Sequence, residues 1–197
     1  GARGGGAGRR TRCGPGGGRG GKGARMPKST TTLHGTDPAL LGLDPSSRTA
    51  IEHALSHSDS ITTVSESVRQ ETVATLRRER PVEVIRNFFV PSGRLRSREE
   101  IRRELGLTNE ECLVVHISNV RPLKRVDLLL RSFAAARTSR PLRLLILAGS
   151  SFAPYEPLLD ELKLRDRVTV KEGVREVEEY LNAADAGLYS SEHESFG

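Results

Sequence analysis

Apolar residues follow two rhythms along this chain. At 112–118 (CLVVHIS) and 142–148 (LRLLILA) they run almost unbroken for seven residues, as in strands buried on both faces. Shorter β-rich runs at 60–64, 82–85, 168–170 and 187–189 predict further strands. Between them the apolar positions recur at helical spacing. Helices are predicted over 49–57, over 65–78 with Ser65 as N-cap and Val68, Thr72, Val73 and Leu76 on one face, and over 97–105, closed by Gly106. Others are predicted over 124–138, with Val126, Leu129, Leu130 and Phe133 inward, within 152–164 and over 176–184. The stretch 87–96, with Pro91 and Gly93, reads as a connection. From 112 onward strand and helix alternate, which implies an α/β fold: a parallel sheet, helices on both faces and right-handed crossovers. Such sheets take ligands at the carboxyl ends of their strands, here the loops 119–125, 149–155, 173–175 and 190–197. The chain stops directly after the last of these loops, so a C-terminal truncation is the expectation.

Composition separates off a leader. The chain has 197 residues and a formal net charge of +6. Residues 1–28 alone hold eight Arg and Lys, no acid and 12 of the 20 glycines, so the remainder carries 23 basic against 25 acidic residues. A global basic field of the nucleic-acid-binding kind therefore does not describe the body. The leader cannot bury apolar area against the entropy of ordering its glycines, which predicts disorder. Three readings stand for it. An RGG-like RNA-binding tail lacks the usual aromatic interleaving, and a basic targeting segment lacks an amphipathic stripe. The third is translated upstream or out-of-frame DNA, with Met26 near a true start or fusion point. No stretch approaches the ~18 apolar residues of a membrane span, and no apolar core follows the N-terminus as in a secretory signal. Two cysteines, Cys13 and Cys112, make no disulfide framework, and a reduced cytoplasmic setting is the simpler reading.

Three segments could carry chemistry. In Ser118-Asn119-Val120-Arg121-Pro122-Leu123-Lys124-Arg125, three cations lie between a buried strand and a helix N-terminus. The helix dipole disfavours cations there, so they make sense if an anion such as phosphate occupies the loop; a solvated basic turn is the alternative. Neither GxxxxGK[ST] nor GxGxxG is present. In Glu192-His193-Glu194-Ser195-Phe196-Gly197, two carboxylates and an imidazole follow a strand end. They could bind sugar or ribose hydroxyls or form a plain charged loop; a metal site is conceivable, with few partners to make one. In Thr31-Thr32-Leu33-His34-Gly35-Thr36-Asp37, His34 lies among hydroxyls, and Gly35 allows close backbone approach. His53, His57 and His116 read as structural. No G-x-S-x-G elbow is present, and Cys112 lies inside a strand.

Together these segments resemble the retaining glycosyltransferases of family four, from about Thr31 to Gly197. That family has a GT-B fold, two Rossmann-like domains facing a cleft. Its donor domain opens with a strand and a G-R-x-x-x-x-K-G loop. On that pattern Lys124 falls on the lysine that binds the donor diphosphate; Asn119 replaces the usual arginine, and Arg121 lies two residues on. Glu194-Ser195-Phe196-Gly197 matches the start of the E-x7-E motif, whose second glutamate falls beyond the last residue. TTLHGTD, SDSITTVSESVRQET, VEVIRNF and HISNVRPLKRV are similar to one subgroup, whose members transfer N-acetylglucosamine from UDP-N-acetylglucosamine to L-malate in making the first intermediate of bacillithiol.

The resemblance implies three parts: the leader at 1–28, the end of an acceptor-side domain at 29–88, and a truncated donor-binding domain at 89–197. Donor contacts would come from Asn119, Arg121, Lys124, Arg125, Gly149, Val174 and Glu194. His34 and Glu194 would lie at the reacting sugar, and Thr32 and His34 on the acceptor side. No metal or other cofactor and no nucleic-acid partner is implied, and a homo-oligomer stays open for a full-length enzyme. A full member is about twice this length, so the 197-residue chain is expected to be inactive alone.

Overall fold

The computed structural model describes residues 28–34, 45–76 and 81–194. The leader through Pro27, Gly35 to Asp37 of the TLHGTD segment, and Ser195 to Gly197 lie outside the described residues. The chain divides into two compact units between Phe88 and Phe89.

The first unit has a three-stranded parallel sheet of β1 (Thr30–Leu33), β2 (Ser60–Thr63) and β3 (Glu83–Val84), with β2 in the middle. Helix α1 (Pro45–Ser56) links β1 to β2, and α2 (Glu66–Leu76) links β2 to β3. β1 went unpredicted because TTTL shows no apolar run. Hydroxyl pairs hold it instead: Thr30 Oγ1 lies 2.7 Å from Ser60 Oγ, and Thr32 Oγ1 2.8 Å from Thr62 Oγ1. Ser65 caps α2 as expected, its Oγ accepting from the Val68 N–H at 3.2 Å. Leu33, Leu55, Ile61, Val64, Val68 and Val82 form the core of this unit.

The second unit has a four-stranded parallel sheet, ordered β6 (Val168–Glu172), β5 (Leu142–Ala148), β4 (Cys112–Ser118), β7 (Ala186–Gly187). β4 and β5 have the bounds that their apolar runs predict, and pair in register along all seven residues. Alternate residues serve opposite faces. Val114, Leu144, Ile146 and Ala148 pack with Leu129, Leu130 and Phe133 of α4 (Val126–Ala135) and Leu159 of α5 (Glu156–Glu161). Leu113, Val115, Leu145 and Leu147 pack with Ile101 of α3 (Arg98–Glu104) and with Tyr180 and Ala183 of α6 (Val177–Ala183). Both faces are covered, which is why these strands read as continuous apolar runs.

Local sequence explains the element ends. Ser97 and Glu100 form a capping box on α3. Beyond it, Gly106 at φ +67° lets the Gly106 N–H reach Arg103 O and the Leu107 N–H reach Arg102 O, a Schellman closure. The helix predicted from 124 starts later. Pro122 opens a 3-10 turn, Pro122–Lys124, and Arg125 turns left-handed (φ 47°, ψ 48°) before α4 begins. β7 is two residues long and sits one residue earlier than its pattern suggests; the Leu188 N–H still donates to Val115 O at 2.9 Å, but the register with β4 covers only Ala186 and Gly187. No helix among the described residues is long and apolar enough to cross a membrane.

Candidate functional site

Within the second unit the carboxyl ends of β4, β5 and β7 lie side by side, so their loops converge. Backbone and hydroxyl bonds stitch them. The Gly149 N–H donates to Ser118 O at 2.8 Å, and Ser150 Oγ to Asn119 O at 2.6 Å. On the other side Ser190 Oγ donates to Lys124 O and Arg125 O at 3.0 and 2.8 Å, and the Glu192 N–H to Leu123 O at 3.0 Å. Ser190 was not singled out in the sequence, because its partners lie more than sixty residues away.

The loop after β4 is held in an unusual shape. Val120 is a β-branched residue at φ 42°, a region that costs L-residues about 1–2 kcal/mol. Its side chain is buried in the α4 face of the core, and its N–H donates to Ser118 Oγ at 3.1 Å. These two anchors keep the turn that starts the cationic segment.

Each loop cation has a protein partner. Lys124 Nζ donates to Glu194 Oε1 at 2.6 Å. Arg125 makes two bonds of 3.1 Å to the Asp127 carboxylate. The Asn119 amide, oriented with its oxygen toward the guanidinium, accepts from Arg121 Nη2 at 2.7 Å and Nε at 2.8 Å. Three cations face two paired carboxylates and one neutral amide, so the loop keeps a net positive charge of one, with Arg121 the cation that has no carboxylate partner among these contacts. Burial acts to raise the Glu194 pKa, but the hydrogen bond from Lys124, the nearby Ser191 hydroxyl and the charges of Lys124 and His193 outweigh it, holding the carboxyl below the usual glutamate range.

Lys124 and Glu194, seventy residues apart, thus meet in one place, with Asn119, Arg121, Arg125 and Gly149 on the same group of strand ends. Val174 follows Gly173 (φ +65°) after β6 and packs its side chain against the core on the α3 and α6 face. His34 lies in the first unit, exposed directly after β1, and Thr32 is tied to Thr62 within β1 and β2.

Residues 97–197 match the family model described as "Glycosyl transferases group 1". The chain belongs to the group 1 glycosyltransferases. Among curated relatives, it is 34% identical over 172 residues to N-acetyl-alpha-D-glucosaminyl L-malate synthase of Bacillus anthracis, a match covering 86% of this chain and 45% of the relative. Similar solved structures include Anabaena Alr3699/HepE in complex with UDP and glucose (TM-score 0.69, 16% identity, 85% of this chain and 48% of that one). Another is the sucrose-phosphate synthase of Thermosynechococcus elongatus (TM-score 0.66, 18% identity, 85% and 45%). These solved structures are GT-B glycosyltransferases, and at such identities they establish the fold. This group 1 glycosyltransferase chain spans about half the length of the relatives it matches. The family match includes Asn119, Arg121, Lys124, Arg125 and Glu194, all at the stitched strand ends.

Proposed function

We propose that this chain is part of a retaining glycosyltransferase that moves N-acetylglucosamine from UDP-N-acetylglucosamine to L-malate, the first step of bacillithiol synthesis. On this reading 89–197 is the donor-binding domain and 29–88 the end of the acceptor-side domain, in a cytoplasmic enzyme. The observation that carries the reading is the Lys124–Glu194 contact, an ammonium and a carboxylate 2.6 Å apart at the converging ends of parallel strands. The 34% identity to an N-acetyl-alpha-D-glucosaminyl L-malate synthase supports the choice of substrates.

The donor diphosphate lies on Arg121 and Lys124. As the bond from the anomeric carbon to the diphosphate oxygen breaks, negative charge grows on UDP, and these cations interact with it most strongly in the transition state. The malate hydroxyl forms the new bond from the face the diphosphate leaves, and its proton passes to a departing phosphate oxygen. Glu194 orients the sugar hydroxyls. Arg125 sets the entry to α4, and the backbone near Gly149 and Val174 borders the nucleotide. His34 and Thr32 act on the acceptor side.

The test is a UDP-release assay on a longer protein containing this sequence, with UDP-N-acetylglucosamine as donor and L-malate, inositol phosphate or a free sugar as acceptor. Malate-dependent release that is lost in Lys124→Ala supports the full reading. Release with another acceptor alone replaces malate but keeps the donor site. No release with any acceptor, while UDP still binds, reduces the protein to a nucleotide-sugar-binding module.

A further inference from the structure

His116 sits in the middle of the sheet with no exposed surface, yet both of its ring nitrogens are used. Nδ1 lies 2.9 Å from Leu188 O, which can only accept, so Nδ1 carries the proton. Burial, partly offset by the Leu188 carbonyl and reinforced by the charge of Lys124, pushes the imidazole toward its neutral form. Nε2 is therefore an acceptor, and the Ser118 hydroxyl donates to it at 2.8 Å. Ser118 Oγ in turn accepts from the Val120 N–H at 3.1 Å. One continuous chain of bonds runs from the strained Val120 turn through Ser118 and His116 to Leu188, with every member in a single consistent role.

The two ends of this chain are the roots of the two loops that form the candidate site. Val120 starts the turn that delivers Arg121 and Lys124. Leu188 lies at the end of β7, where its N–H donates to Val115 O at 2.9 Å, and it leads to Ser190 and Glu194. We propose that His116 is a positioning residue that sets the spacing between the Lys124 loop and the Glu194 loop, and so fixes the geometry offered to a nucleoside diphosphate. The inference rests on the reading of Lys124 as a diphosphate ligand. Burial alone does not call for histidine here. The paired use of both nitrogens does.

The experiment measures UDP affinity by titration calorimetry and thermal midpoint on the 197-residue chain, for wild type, His116→Leu, His116→Asn, Ser118→Ala and Lys124→Ala. His116→Leu keeps the apolar packing and breaks both arms, and UDP binding is expected to weaken at least tenfold. Ser118→Ala breaks the loop arm, leaving His116 Nε2 and the Val120 N–H without their partner, and is expected to weaken UDP about threefold or more with a lowered midpoint. His116→Asn restores the donor to Leu188 O and is expected to recover part of the loss. Unchanged UDP affinity in both His116→Leu and Ser118→Ala, whatever the midpoints do, overturns the inference and leaves the donor site standing. If His116→Leu does not fold, Ser118→Ala decides alone on the same criterion. UDP binding that is absent in wild type, or undiminished in Lys124→Ala, overturns the donor site and this inference with it.

Discussion

Lys124 and Glu194 keep 25% and 39% of their side-chain surfaces exposed. An ion pair this wet contributes about 1 kcal/mol or less, because water screens it and two long side chains must be ordered. A charge-assisted bond to a phosphate oxygen contributes about 1.5–3 kcal/mol. On the proposed donor site a diphosphate would therefore win the lysine from the glutamate, with the pair as a placeholder that keeps Nζ in the site. Removing the competitor follows from this. Glu194→Gln is expected to bind UDP about two- to fivefold more tightly, while the preference for UDP-N-acetylglucosamine over UDP declines. Parallel calorimetric titrations read both quantities, and weaker UDP binding in Glu194→Gln contradicts the placeholder role. Because the Glu194 carboxyl is held below the usual range, acidification from pH 8 to 5 does not mimic this substitution.

The residues of this pair were legible in the sequence, since a lysine after a buried strand and a glutamate after a later one sit where parallel sheets bind ligands. Their partners were not. Ser190, His116 and Leu188 act across distances in sequence that only strand adjacency closes, and a histidine inside an apolar run gives no sign that both of its nitrogens are engaged.

At the scale of elements, the second unit is tied together by charges that the pattern of apolar residues never revealed. Glu104, at the end of α3, accepts from Lys171 of β6 at 2.9 Å, from Arg96 at 2.6 Å and from the Tyr180 hydroxyl of α6 at 3.0 Å. The bonds from Lys171 and Arg96 outweigh burial and hold its pKa at about 2 against 4.5. A folded pKa below the unfolded one means that the stabilisation is fully present above about pH 4.5 and fades as the pH falls toward 2. The carboxylate is a third exposed, so screening limits the effect to about 1 kcal/mol. Glu104→Gln is expected to be about 1 kcal/mol less stable than wild type at pH 7, with a smaller gap at pH 3. Urea unfolding at the two pH values measures this, and a gap independent of pH contradicts it.

Asp185 makes a second knot. It accepts from the Leu113 N–H at 2.7 Å, from Arg98 at 2.5 Å and from Arg102 at 3.2 Å. Arg102 is 7% exposed and also donates to the carbonyls of Thr108 and Glu111. Asp185→Ala leaves that guanidinium without its carboxylate, at an expected cost of about 3 kcal/mol, read as a lower denaturation midpoint. The strands β4 and β5 could be placed from their apolar runs because both faces are buried. β1 could not, because paired threonine and serine hydroxyls hold it. The late start of α4 depended on the left-handed Arg125, which no periodicity encodes.

For the whole molecule, the formal charge of +6 is misleading. Eight of the cations lie in 1–28, and of the three in the β4 loop of the second unit two are paired with Asp127 and Glu194, while Arg121 is held by the neutral Asn119 amide. What distinguishes this surface is the convergence of three strand-end loops, stitched by backbone, Ser150 and Ser190, around the Lys124–Glu194 pair. The most direct measurement is calorimetric titration of the 197-residue chain with UDP and with uridine, for wild type and Lys124→Ala. The expected result is that UDP binds, uridine binds far more weakly, and Lys124→Ala loses about ten- to a hundredfold of the UDP affinity at an unchanged unfolding midpoint. Equal affinities for UDP in the two proteins, or no preference for UDP over uridine, would contradict a diphosphate site at Lys124.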